Sequence, residues 1–264
     1  MPDQSLLQDF DAPAAVLVMG ATGGIGRALV TALAARAQVI DLFAVGRHAT
    51  SDPALRALAI GSEGHPACRI HLLDADLLDE TSLGTLAEAV RAKVPALHLI
   101  INATGLLHDD RLQPEKSLLQ VSSASLQANF SVNAFGPILL AKAFLPLMRH
   151  AQPVVFASLS ARVGSISDNR LGGWYGYRAA KAAQNQLLRT LAIELGRMNR
   201  RAVVLALHPG TTDTDLSKPF QARVADDKLF TPEFAARCLL QVISAHGPAD
   251  SGRFYAWDGQ EIAW

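Results

Sequence analysis

Residues 16–26 read Val16-Leu17-Val18-Met19-Gly20-Ala21-Thr22-Gly23-Gly24-Ile25-Gly26. Four apolar residues without a polar break suit a strand buried on both faces. A glycine-rich turn follows directly, and a helical pattern opens at Gly24. Such a junction lets backbone N–H groups approach a pyrophosphate at the positive end of a helix. Gly20, Thr22, Gly23, Gly24, Ile25 and Gly26 are therefore candidate phosphate-binding residues. The spacing is Gly-x-x-x-Gly-x-Gly rather than Gly-x-Gly-x-x-Gly.

The same alternation continues along the chain. Runs at 16–19, 39–45, 70–73, 97–102, 153–158, 202–207 and 252–257 predict strands. Helical patterns cover 24–36, 81–93, 123–149, 175–199 and 232–245, with a short helix within 49–67. Ser82, Ser123, Thr231 and Pro232 mark helix starts. Sustained strand–helix alternation predicts an α/β protein with a Rossmann fold, a doubly wound parallel sheet of about seven strands flanked by helices. No repeat or linker divides it, so 1–264 reads as one NAD(P)-binding domain, with 1–13 a flexible N-terminal extension. The stretch 211–230 is the one long irregular insert.

Composition narrows the function classes. Lys+Arg and Asp+Glu balance at 24 each, which gives no electrostatic reason to expect nucleic acid or an anionic membrane surface as partner. Cys68 and Cys238 are far apart without metal-ligand spacing, as suits a reducing cytosol. The first twelve residues lack the basic start and apolar run of a signal peptide, and no apolar segment reaches about 20 uncharged residues. A cytoplasmic protein is expected.

Two further positions carry chemistry. The second strand ends Val45-Gly46-Arg47-His48. An acidic residue at such a strand end holds a ribose 2′-hydroxyl, whereas an arginine accommodates a 2′-phosphate. Gly46 stands in the acidic place and Arg47 follows, which favours NADP(H) over NAD(H); Asp41 lies too early in the strand. Farther on, Tyr177-Arg178-Ala179-Ala180-Lys181 sets a phenol and an ammonium one helical turn apart. A cation about 4 Å from the phenol, at an effective dielectric near 20, would favour the phenolate by roughly 4 kcal/mol, about three pKa units. That brings the phenol towards the pH at which general acid–base catalysis works best.

Together these features resemble the short-chain dehydrogenase/reductase family from about residue 15 to 264. Gly20, Gly24 and Gly26 match its glycine pattern, with Met19 where a threonine often stands. Asp76, followed by Leu77, matches the acidic residue used near the adenine. Asn102-Ala103-Thr104-Gly105 resembles the family's Asn-Asn-Ala-Gly, with two substitutions. Asn133, Tyr177 and Lys181 match the catalytic asparagine, tyrosine and lysine. Pro209-Gly210-Thr211-Thr212-Asp213-Thr214 resembles the segment framing the nicotinamide carboxamide, which adds Pro209, Gly210, Thr212 and Thr214 to the cofactor-binding set. Thirteen residues before the tyrosine, where the family often has its serine, this chain has Gly164. Ser160 is the first choice for that serine, with Ser158 and Ser165 as alternatives. The text from 160 to 181 and the ending Gly252-Arg253-Phe254-Tyr255-Ala256-Trp257 are similar to the C-factor-like subgroup and to sniffer-type carbonyl reductases.

The resemblance implies an NADP(H)-dependent oxidoreductase moving hydride between nicotinamide and a carbonyl or secondary alcohol. In it, Tyr177 is acid/base, Ser160 holds the substrate oxygen, Lys181 depresses the phenol pKa and holds the ribose, and Asn133 anchors a water relay. It also implies a homodimer or homotetramer built on the helices at 123–149 and 175–199. The alternative is an NADP-binding relative with a signalling or regulatory role and little catalysis, since fold alone does not establish activity. The insert at 215–230 is a candidate substrate lid.

Overall fold

Each strand of the main sheet is followed by a crossover of a dozen or more residues, which allows neighbouring strands to run parallel. In chain order the elements are β1 (Ala14–Met19), α1 (Gly24–Ala34), β2 (Val39–Gly46), α2 (Pro53–Ser62), β3 (Arg69–Asp74), α3 (Glu80–Arg91) and β4 (Leu99–Asn102). Then come α4 (Ser123–Phe130), α5 (Gly136–Met148), β5 (Val154–Leu159), α6 (Tyr175–Met198), β6 (Ala202–His208), β7 (Thr211–Thr212), β8 (Leu229–Phe230), α7 (Pro232–Ala245) and β9 (Arg253–Ala256). This computed structural model describes residues 13–62 and 68–264, so the extension expected at 1–13 lies outside the described residues except for Pro13.

The seven-stranded sheet has the order β3-β2-β1-β4-β5-β6-β9, and β7 pairs with β8 in a small separate ladder. The strand order reverses between β1 and β4, where open α/β sheets leave a crevice beyond the carboxyl ends of the strands. Register lines those ends up: Met19 pairs with both Val45 and Asn102, and Asn102 pairs with Ser158.

Alternation along β1 separates two apolar layers. Val16 and Val18 face Leu29, Leu33, Leu240 and Ile243 from α1 and α7. Leu17 and Met19 face the side holding Leu86, Phe144 and Leu188 from α3, α5 and α6. Burying each such side chain contributes roughly 1.5–3 kcal/mol.

Helix ends depart slightly from expectation. Asp79, not Ser82, caps α3 by accepting from the N–H of Thr81 and of Ser82. Ser122, one residue before the expected start, caps α4. Thr231 caps α7 as expected, with Pro232 in the first turn. The helix expected to run unbroken over 123–149 is interrupted by a π turn at Ser131–Phe135. Pro137 has no N–H to give the Asn133 carbonyl four residues earlier, and its ring crowds that position, so the helix widens there.

The run Ser123–Met148 contains an 18-residue stretch of mean hydropathy 1.4 and is long and apolar enough to cross a membrane by composition alone. Here Leu140, Ala141, Phe144, Leu147 and Met148 pack within the core against the sheet.

Candidate active site

The glycine turn is built by close approach. A Cβ on Gly26 would lie 2.0 Å from the carbonyl oxygen of Gly20, so only glycine lets α1 begin there, and Gly20 itself has a φ of +88°. No side chain caps α1, and its first turn holds no acidic residue. Its first N–H groups therefore remain available to an anion, with the positive end of the helix dipole behind them.

A crevice of about 600 Å³ opens in front of this turn, lined among others by Thr22, Gly23, Arg47, Asp76, Leu77 and Thr104. Arg47 is exposed at its rim and makes no ion pair among the described residues. A Cβ on Gly46 would lie 3.3 Å from the Thr22 side chain, so a larger side chain at 46 would crowd the turn. Asp41 sits away from this edge, buried under Arg69 (2.7 Å) and His71 (2.7 Å), which outweigh its desolvation and hold its carboxyl below the usual range. An uncapped helix start, an unpaired arginine and the missing acid at position 46 fit a dinucleotide bearing a 2′-phosphate.

The crevice continues past Gly105, Asp215 and Leu216 into a smaller pocket of about 210 Å³. Ser160, Tyr177, Lys181, Pro209 and Thr214 all line it. Ser160 follows β5, Tyr177 and Lys181 lie on the buried face of α6, and Pro209 and Thr214 follow β6. Of the serine alternatives, Ser158 is fully buried and accepts from Asn102 (2.9 Å) and Gln184 (2.8 Å). The Ser165 hydroxyl donates to the Ala263 carbonyl at 2.5 Å. Ser160 alone of the three lines the pocket.

The electrostatics of the Tyr177–Lys181 pair differ from the sequence expectation. Lys181 Nζ lies 5.8 Å from the Tyr177 ring centroid and donates to the Leu159 carbonyl (2.8 Å) and Gln184 Oε1 (2.9 Å). Burial raises the Tyr177 pKa above its ordinary value instead of lowering it. Burial likewise pushes the Lys181 ammonium down to about 7. Loss of water around both groups outweighs their mutual attraction, because the ammonium leans away from the phenol onto neutral acceptors.

Asn133 is fully buried within the π turn. Its Oδ1 accepts from Leu106 N (3.0 Å), and its Nδ2 donates to Leu106 O (2.7 Å) and Asn129 Oδ1 (3.4 Å). The amide thus clamps the loop after β4, and both of its side-chain hydrogens are taken, leaving no side-chain donor for the water relay that the resemblance implied. Asn102 is also fully buried, bonded to Ser158 and Thr104, so it shapes the floor of the crevice rather than lining it. Gly210 and Thr212 likewise do not line the crevice. Gly210 turns the chain at φ +77° beneath Phe230, and Thr212 is buried. Ala103, Thr104 and Gly105 do line it.

Sequence reasoning missed Gln184 and Asn185, which hold Lys181 and Ser160. The available signal was their spacing, three and four residues beyond Lys181 on its own helix face. It also missed how the insert is latched. Phe220 packs edge-on to Trp174 (5.1 Å), which in turn meets Tyr177 (6.2 Å). Trp174, at φ 52°, is the one non-glycine residue with positive φ among the described residues, and it opens α6. Arg178 steadies this corner by donating to the carbonyls of Gly172 and Gly173.

A doubly wound sheet with a glycine turn at its switch point and a Tyr–Lys pair across it defines a nucleotide-dependent oxidoreductase architecture. Residues 14–225 match the family model for short chain dehydrogenase, and the chain belongs to that family of oxidoreductases. It is 34% identical to C-signal of Myxococcus xanthus over 56% of this chain and 84% of that protein. It is 28% identical to 1-hydroxy-2-glutathionyl-2-methyl-3-butene dehydrogenase of Rhodococcus sp., covering 94% and 99%. Among solved structures, the NADPH-bound carbonyl reductase from chicken fatty liver superposes with a TM-score of 0.82 at 26% identity, covering 96% of this chain and all (100%) of that one. The carbonyl reductase Sniffer of D. melanogaster gives 0.81 at 27% over the same shares, 96% and 100%. These likenesses set the chain with the C-factor-like and sniffer-type members, as its sequence implied.

Proposed function

We propose that the chain is an NADP(H)-dependent oxidoreductase acting on a carbonyl or secondary-alcohol substrate, with Tyr177 as the acid/base. The observation that carries this reading is the convergence of Ser160, Tyr177 and Lys181 on one small pocket continuous with the glycine-turn crevice. The NADPH held by the chicken reductase and the free Arg47 support the cofactor. When bound, that cofactor supplies hydride chemistry.

The chain's own residues do the rest. The first turn of α1 holds the pyrophosphate, Arg47 the 2′-phosphate, Asp76 and Leu77 the adenine end, and Pro209 and Thr214 the nicotinamide end. Ser160 meets the substrate oxygen, and Tyr177 moves a proton at its Oη. Burial keeps the phenol protonated at working pH, which suits a group that donates to a carbonyl oxygen. Two of the three ammonium hydrogens of Lys181 are engaged by Leu159 and Gln184, leaving one for a ribose hydroxyl. With a pKa of about 7, Lys181 exchanges its proton near neutral pH.

The test is a broad carbonyl panel with NADPH. Tyr177→Phe is expected to lose about 10²–10⁴-fold in kcat while still binding NADPH, as judged by cofactor fluorescence. Equal turnover by variant and wild type on every substrate would defeat the reading. The likeness to C-signal favours a second reading, a cofactor-binding relative with a signalling role. Tight NADPH binding with no turnover of any panel member by wild type would select it.

A further inference from the structure

Ser160 is 4% exposed, and its hydroxyl donates to Oδ1 of Asn185 at 2.7 Å. Asn185 is 2% exposed and lies one turn beyond Lys181 and two beyond Tyr177 on the buried face of α6. Its neighbour Gln184 is saturated: Nε2 reaches Ser158 and Leu159, and Oε1 accepts from Lys181. Asn185 is not, because its Nδ2 is buried without a partner among the described residues. A buried amide N–H₂ left unpaired is costly, and a native site that keeps one calls for an explanation.

A serine hydroxyl has one hydrogen and two lone pairs. With its hydrogen on Asn185, Ser160 offers the pocket only lone pairs, which suit a donor such as a substrate alcohol or the Tyr177 phenol. An oxygen gaining negative charge needs the opposite, a hydrogen pointing into the pocket. When Ser160 turns its hydrogen there, its oxygen requires a donor behind it, and the unpaired Nδ2 of Asn185 is that donor once the amide rotates. Leucine offers neither role, and an ionised aspartate only accepts.

We propose that Asn185 is a positioning residue for Ser160, its amide accepting from the hydroxyl in the resting site and donating to it when Ser160 turns towards a developing alkoxide. This rests on the reading of Ser160 as the group that meets the substrate oxygen.

Two measurements test it. The first uses cofactor-free protein: thermal midpoints of wild type, Ser160→Ala, Asn185→Leu and the double variant. A direct hydrogen bond predicts that the double variant falls little further than the worse single one. Strictly additive shifts would overturn the clamp. The second is the pH dependence of NADPH-driven reduction. Asn185→Asp is expected to lose at least tenfold in kcat at pH 8 with KM little changed, and to recover as pH falls and its carboxyl regains a hydrogen to donate. Asn185→Leu should stay low at every pH. A merely structural role would give neither the recovery nor the split between kcat and KM. An Asn185→Asp profile superimposable on wild type would overturn the proposal. If Ser160→Ala turns over like wild type although the midpoints are coupled, the role of Ser160 and the turning of the amide both fall, while the hydrogen bond stands.

Discussion

Lys181 gives a prediction that needs no substrate. Its ammonium is 2% exposed, and its pKa falls from 10.5 in the open chain to about 7 in the fold. At about 1.4 kcal/mol per unit, that shift sets the fold against a charged lysine by at most about 5 kcal/mol. Above pH 10.5 the lysine is neutral in both states and the penalty vanishes. Between 10.5 and about 7 the unfolded chain carries a proton that the folded one lacks, so stability falls as pH falls and rises as pH rises. Below about 7 both states are charged and the penalty is constant. Lys181→Met keeps an unbranched side chain one atom shorter and removes the titration. Urea unfolding of cofactor-free wild type and variant across this range isolates the one group, because all other titrations cancel in the difference. Wild type should gain about 2.5 kcal/mol on the variant between pH 8 and pH 10. Loss of the hydrogen bonds to Leu159 and Gln184 adds an offset that does not change with pH. Two stability curves running parallel across that interval would show that Lys181 titrates normally, and the account of a desolvated lysine would be wrong.

The cofactor end yields two more expectations. Arg47→Ala should weaken NADPH binding by about ten- to a hundredfold, the worth of one charge-assisted hydrogen bond, and leave NADH binding nearly unchanged; titration of both cofactors by fluorescence checks this, and equal losses would remove the 2′-phosphate from the arginine. Gly26→Ala puts a methyl 2.0 Å from the Gly20 oxygen, so α1 must shift or the turn must open. A loss of more than about 3 kcal/mol in unfolding free energy, together with lost cofactor affinity, is expected, whereas a variant of wild-type stability would show that the close approach does not exist.

The fold was legible because its signals are local. Near-continuous apolar runs such as Val154–Leu159 admit few readings other than buried strands, and the glycine turn names its own place at the first crossover. The site was legible as a set of residues but not as a set of hydrogen bonds. That Tyr177 and Lys181 share a helix face follows from spacing, whereas the direction in which the ammonium leans depends on the Leu159 carbonyl, delivered by a different element. The resemblance of Asn102-Ala103-Thr104-Gly105 to Asn-Asn-Ala-Gly implies that Asn102 binds cofactor, yet its amide turns inward to Ser158, a partner the motif does not reveal. Choosing among Ser158, Ser160 and Ser165 required knowing which of them lines the pocket, and the groups that hold the three hydroxyls lie up to 98 residues away in the chain.

The π turn at Ser131–Phe135 has a consequence for the phase of the long helix. In a straight α-helix, Asn129, Asn133, Leu140 and Phe144 would form one stripe, since steps of four, seven and four residues return almost to the same angle. Two amides would then be driven against the sheet together with the leucine and phenylalanine. Absorbing one residue in a wider turn rotates the two halves apart by about 100°. The second half aims Leu140 and Phe144 at the core, while Asn133 in the turn bonds the Leu106 loop beside the crevice and Asn129 accepts from Asn133. One chain segment thus serves two masters, the apolar layer and the site, and the irregular turn is where it changes allegiance.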